Sequence, residues 1–167
     1  FKRDEFRYMK TLTNLTNLNP SNVTLSPRDY CLNLSSMASL NTVVLPRNIT
    51  VIPSSAFYHC SGLSGDLVLP EGLVSILDIA YVSSGYDGKL VLPSTLTYIG
   101  SMAFQSCLFS AVYCKATTPP AASSRAFLNI TAKTLYVPIG CAAAYEAAEN
   151  WDDFENIVET DFSELNL

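Results

Sequence analysis

Apolar residues separated by a single position recur along the chain in five short segments, Val43/Leu45, Leu67/Leu69, Leu90/Leu92, Val112/Cys114 and Leu135/Val137. A spacing of two puts both members of each pair on one side of a strand. Three of the segments are closed by a Leu-Pro pair, Leu45-Pro46, Leu69-Pro70 and Leu92-Pro93, at steps of 24 and 23 residues. Proline lacks the N–H that would continue a ladder, whereas Lys115 stands in its place in the fourth segment. Three residues after each proline comes Ile49, Leu73 or Leu96, and three further on Ile52, Ile76 or Ile99. The pairs Ala56-Phe57, Ala80-Tyr81, Ala103-Phe104 and Ala126-Phe127 then follow at steps of 24, 23 and 23, with Cys60, Ser84, Cys107 and Ile130 three residues beyond each aromatic. So many matched columns at one period define a repeat in which each unit is one coil of a solenoid.

The first part of each unit predicts an inward-facing strand. The spacing of Ile52, Ala56, Phe57 and Cys60 suits a helical or 3₁₀ return better than a second strand. One coil cannot bury such a face, so neighbouring coils must stack, with strands about 4.8 Å apart in a parallel ladder. Atypical ends are expected, because bare apolar termini would extend or aggregate. Residues 1–39 read as a lead-in helix, with Phe6, Met9 and Leu12 on one face, followed by a degenerate coil carrying Leu15 and Leu18. Residues 40–138 hold the repeats. Residues 139–167 read as a cap, in which Cys141 to Glu149 is a helix by propensity and Trp151, Phe154, Ile157 and Val158 cover the last rung. All three parts form one solenoid domain.

Composition narrows the classes of function. Nearly half of the 167 residues are apolar and 15% are charged, which excludes intrinsic disorder. The formal charge is −5, and eight of the fifteen acids lie between Glu146 and Glu164. No basic stripe is available to release counterions from phosphates, so nucleic acid is not an expected partner. No apolar run reaches the roughly 20 residues of a membrane-spanning helix. The chain opens on Phe1 without a signal segment and reads as a mature or trimmed portion of something longer.

With these columns assembled, the chain resembles the BspA-like leucine-rich-repeat proteins, also called the Treponema pallidum type, found on the surfaces of gut and oral Bacteroides-like bacteria. The matching residues are the Leu-Pro, Ile99-Gly100, Ala-Phe and Cys columns and the runs Gly65-Asp66-Leu67-Val68-Leu69-Pro70 and Gly88-Lys89-Leu90-Val91-Leu92-Pro93. The closing stretch matches further, in Tyr113-Cys114-Lys115-Ala116-Thr117-Thr118-Pro119-Pro120, Leu135-Tyr136-Val137-Pro138, Ala144-Tyr145, Trp151 and Phe154-Glu155-Asn156-Ile157-Val158. The likeness covers residues 40 to 160 well and the first 40 loosely, and one repeat departs from it with Leu77, Tyr81 and Ser84 where Gly, Phe and Cys are usual. The resemblance implies an α/β repeat solenoid. It is a right-handed coil with a parallel β-sheet on one face, short helical or 3₁₀ turns on the other, and a C-terminal helical cap. It further implies a secreted protein, often lipid-anchored or attached to the cell wall, used in adhesion and without catalytic residues.

Reactive side chains are few. His59 is the only histidine and lies between Phe57 and Cys60, where other repeats carry Ser83, Ser106 and Asn129; it reads as a surface or loop residue, since no Ser or Cys is spaced for activation. The five cysteines, Cys31, Cys60, Cys107, Cys114 and Cys141, form no C-x-x-C pair, and their odd number argues against a complete disulfide framework. Cys60 and Cys107 share a column two coils apart, hence about 10 Å from each other, too far to bridge. Cys114 is an inward strand position, and Cys141 would be reactive if exposed. The acidic end lacks the alternation and turn glycine of a calcium loop and reads as a solvated surface. Asn14, Asn22, Asn33, Asn48 and Asn129 begin Asn-x-Ser/Thr triplets, which a chain rich in Ser and Thr produces by chance and which the bacterial resemblance does not favour as glycosylation sites. No metal or cofactor is expected.

The most informative column points outward between the paired inward residues: Val44, Val68, Val91, Tyr113 and Tyr136. Apolar side chains on an open sheet face form a patch of the kind that meets partners, although such residues also favour strands for their own sake. The flanking column, Thr42, Asp66, Lys89, Ala111 and Thr134, suits a polar rim. The candidate partner-binding residues are therefore Val44, Val68, Val91, Tyr113, Tyr136, Asp66 and Lys89. The expected function is a monomeric, non-catalytic module at the cell surface or outside it, contacting protein or glycan on host or neighbouring cells. The alternative is a structural spacer or the C-terminal part of a larger surface protein.

Overall fold

The computed structural model describes residues 34–165 apart from 37, 39, 42, 46 and 164. The lead-in helix and degenerate first coil, together with Cys31, Thr42 and the triplets at Asn14, Asn22 and Asn33, lie outside the described residues. In the remainder, successive coils stack as two parallel sheets. The first has the order β2 (Leu67–Val68), β4 (Lys89–Leu92), β6 (Ala111–Cys114), β8 (Thr134–Pro138), β9 (Asn156–Thr160). The second has the order β1 (Val51–Ile52), β3 (Ser75–Ile76), β5 (Tyr98–Ile99), β7 (Ala121–Ala122). Register follows the repeat, pairing Leu67 with Leu90, Val112 with Leu135 and Ile157 with Leu135 in the first sheet, and Ile52 with Ile76 and Ile76 with Ile99 in the second.

The first sheet holds four of the five expected rungs as strands, while the earliest is represented by an isolated bridge at Val43. Its inward residues Leu90, Leu92, Val112, Cys114, Leu135 and Val137 are fully buried. Where Lys115 stands in place of proline, its N–H reaches the Leu92 carbonyl at 3.0 Å, a bond that Pro93 cannot make at the equivalent point of its own coil; Pro138, by contrast, is the last residue of β8 and pairs with Thr160 of β9. β9 was not expected as a strand and adds one rung beyond the repeats.

The return side differs from the helical or 3₁₀ expectation. Ile52, Ile76 and Ile99 sit in the second sheet, since β-branched residues prefer extended backbone and each stacked coil supplies a parallel partner. Beyond it the chain makes a run of turns in which N–H groups alternate in direction. Those of Ser55, Phe57 and His59 reach Asp78, Ala80 and Val82 of the next coil, whereas those of Ala56, Tyr58 and Cys60 turn back three residues within their own. Two residues per coil take left-handed backbone to allow this, Ser55, Ile79, Met102 and Arg125 in one column and His59, Ser83, Ser106 and Asn129 in the other. A 3₁₀ helix would keep every N–H inside its coil; here half of them bind coil to coil.

An aromatic column runs through the interior. Phe57, Tyr81, Phe104 and Phe127 stack in turn with ring centroids 4.8, 5.4 and 5.7 Å apart. Trp151 of the cap meets Phe127 at 5.0 Å and ends the column. The cap helix α1 (Ala142–Glu146) is shorter than the propensity of Cys141 to Glu149 suggests, ending at Ala147, and Asn150 in left-handed backbone follows before the chain enters β9. Cys141 provides no side-chain cap for α1. Instead Glu159, on β9, accepts the Ala142 N–H at 3.0 Å. This holds its carboxylate below the usual range, through bonds from Gly140 and then Ala142. Two side chains close the edge of the second sheet: Trp151 Nε1 donates to the Pro120 carbonyl at 3.0 Å and Asn150 Nδ2 to the Ala122 carbonyl at 2.8 Å.

Candidate binding face

Strand alternation delivers one row of side chains to the outside of the first sheet, and pairing aligns it: Val68 beside Val91, Val91 beside Tyr113, Tyr113 beside Tyr136, and Tyr136 beside Val158. Tyr113 and Tyr136 stack with centroids 4.5 Å apart and planes inclined by 9°. Lys89 Nζ lies 5.7 Å from the centre of the Tyr113 ring, within range of a cation–π contact worth about 0.5–1 kcal/mol at an exposed site. Asp66 Oδ1 accepts the Lys89 backbone N–H at 2.7 Å, so the acid both locks the start of β4 and places a negative charge near the tyrosines. Burial raises the Tyr113 phenol above its ordinary range, with the nearby Tyr136 and Asp66 adding to the effect.

The candidate residues do not all share one environment. Lys89, Tyr113 and Tyr136 form a single cluster with Asp66 at its margin. Val44 and Val68, 55% and 50% exposed, line a separate open cleft of about 300 Å³ together with Asp66, Pro70 and Tyr86. Val91 departs from the expected exposed row: its side chain is only 1% exposed although it points away from the core. Reading the sequence also missed Tyr86, Val158 and Phe162. The Phe162 ring meets Tyr113 edge-on at 6.4 Å, from a segment that follows the last repeat column and so carries no periodic signal.

The remaining reactive groups have structural settings. His59 is exposed, has left-handed backbone and packs its ring 4.2 Å from that of Tyr58. Cys60 and Cys107 are buried, and their sulfurs donate to the carbonyls of Leu34 and Tyr81, both at 3.0 Å. Cys114 is buried against the Tyr145 hydroxyl at 3.1 Å. Cys141 is buried as well, so the condition for its reactivity, exposure, is not met. Lys133 pairs with Glu155 across 3.0 Å at the surface. Among the described residues no group of three or more His, Cys, Asp or Glu is placed to hold a metal ion. None of the helices among them is long and apolar enough to cross a membrane.

Stacked parallel strands, conserved-register apolar columns and a terminal cap define a leucine-rich-repeat solenoid, a class that generally serves as a non-catalytic scaffold for binding. The chain matches the BspA type leucine rich repeat region in six copies, over residues 4–110 and 26–148, and belongs to that family. Comparison with curated proteins gives no match.

Proposed function

We propose that this chain is a non-catalytic binding module displayed outside a bacterial cell, where the outer face of its first sheet contacts a protein partner in adhesion. A monomer held through a lipid-anchored upstream region is the form in which it would act. Membership of the BspA-type family supports a surface-exposed repeat module. The observation that carries the reading is the cluster of Lys89, Tyr113 and Tyr136 beside the exposed Val44 and Val68. Aromatic anchors rimmed by charge are what binding hot spots use. A protein is favoured over a glycan because the two tyrosine rings cover each other, which leaves little open ring surface on which a sugar could stack. Asp66 and Lys89 supply the polar selection that orients a partner.

The test is a binding screen of the purified chain against extracellular-matrix proteins and a glycan array, followed by substitution of the face. Val68→Asp, Lys89→Glu and Tyr136→Ala are each expected to weaken protein binding by roughly tenfold or more. Val91→Asp is unsuitable, since a buried charge would disturb folding itself. Binding that survives all three substitutions, or that is found only on glycans, would overturn the proposal.

A further inference from the structure

A sheet cannot bury its own outward residues. Yet Val91 and Pro93, which follows β4, are both buried, while Val68, paired directly with Val91, is 50% exposed. Something therefore covers β4 and stops short of β2. The segment that leaves β9 has the position to do so. Asp161 Oδ1 accepts both the Ser163 N–H at 2.9 Å and the Ser163 hydroxyl at 2.6 Å, a side-chain turn that reverses the chain. Phe162 then lies against Tyr113, which is two strands inward from β9 and directly beside Val91. The Leu165 N–H turns back to the Phe162 carbonyl at 3.4 Å. The Phe162 ring thus reaches β6, and β6 lies one strand spacing, about 4.8 Å, from β4.

We propose that Asp161, Phe162 and Ser163 form a strap that occupies the aromatic half of the sheet face in cis, so that a partner reaches Tyr113 and Val91 only by displacing it. The partner-displacement part rests on the binding role proposed above. In the strapped state Val44, Val68 and Asp66 remain open for first contact, and Phe162 stands where an aromatic or aliphatic side chain of the partner would be seated. Asp161 is a positioning residue, acting through the turn it makes with Ser163.

Hydroxyl-radical footprinting read by mass spectrometry tests the strap without any partner, so its result stands apart from the binding screen. The full chain is compared with Phe162→Ala, Phe162→Tyr and a chain ending at Thr160. Labelling of Tyr113 and Val91 is expected to rise severalfold in Phe162→Ala and in the shortened chain and to stay low in Phe162→Tyr, with Tyr98 of the second sheet unchanged throughout. Unchanged labelling of Tyr113 and Val91 in both strap-deficient chains would overturn the proposal. So would a parallel rise at Tyr98, which would make the segment a structural part of the fold rather than a removable cover.

Discussion

Tyr81 stacks on Phe57 with ring centroids 4.8 Å apart and planes inclined by 15°, yet its hydroxyl has no hydrogen-bond partner. It is the one buried side-chain nitrogen or oxygen in that position among the described residues. Other coils place phenylalanine here, so the extra oxygen is carried into an interior shaped for a plain ring. Burial also drives the phenol well above its ordinary ionisation range. Tyr81→Phe removes the unsatisfied group and keeps the stack, and is expected to stabilise the chain by about 1 kcal/mol. Urea unfolding reads this directly as a higher midpoint at constant slope; an equal or lower midpoint would show that the hydroxyl is better accommodated than its surroundings suggest.

Two glycines separate close packing from backbone conformation. A Cβ added at Gly85 would fall on the carbonyl oxygens of Leu63 and Ser61 in the previous coil, neither of which can swing away. Gly72 has open space around it but a φ of +96°. Gly85→Ala is expected to cost about 3 kcal/mol or to shift the coils, whereas Gly72→Ala should cost only about 1–2 kcal/mol, from left-handed backbone alone. Equal losses for the two in denaturant titrations would mean that coil contact at Gly85 is looser than its geometry implies.

The periodic part of this fold was legible because a solenoid places like residues on like: the Leu-Pro and Ala-Phe columns name the inward strand and the aromatic interior directly. The left-handed positions were hidden, since Ser55, Ile79, Met102 and Arg125 share no chemistry that would mark them. Ile52 and its equivalents were assigned to a helical return because their spacing from Ala56 fits one, but inter-coil hydrogen bonding favours extended chain. β9 escaped notice because Asn156–Thr160 has only Ile157 and Val158 as apolar residues, without the apolar pair at a spacing of two. Four of the seven candidate face residues meet around Tyr113, but Val91, outward by strand alternation, is buried, which no column of the repeat records.

The interior thiols set an alkaline limit. Burial pushes Cys107 and Cys114 from an ordinary value of 9.0 up to about 11, against smaller opposing effects of hydrogen bonds. Unfolded chain therefore loses these protons before folded chain does. Stability from this source is complete below about pH 9 and falls as pH rises toward 11. Melting temperature measured from pH 7 to 11 should decline in that window, and Cys107→Ala with Cys114→Ala should flatten the decline whatever it does to the starting value. A decline of the same steepness in the double variant would assign it to the tyrosines instead.

The cap offers the sharpest test of how the stack is closed. Trp151 contributes a buried ring against Phe127 and Phe154, at 5.0 and 6.2 Å, and an N–H to the Pro120 carbonyl. Trp151→Ala should cost about 3–5 kcal/mol, because it leaves a cavity and an unpaired edge carbonyl together. Trp151→Phe keeps most of the ring and loses the donor, so a loss nearer 1–2 kcal/mol is expected from the hydrogen bond and the reduced area. Stability is shared along a stack through neighbour contacts, and removal of the cap contact should therefore loosen the last coil first. Hydrogen exchange should show amides of β8 and β9 losing protection ahead of those in β3 and β4. If Trp151→Ala instead lowered protection evenly from one end to the other, the coils would be unfolding as one unit, and the cap would be one more core contact rather than the closure of an open end.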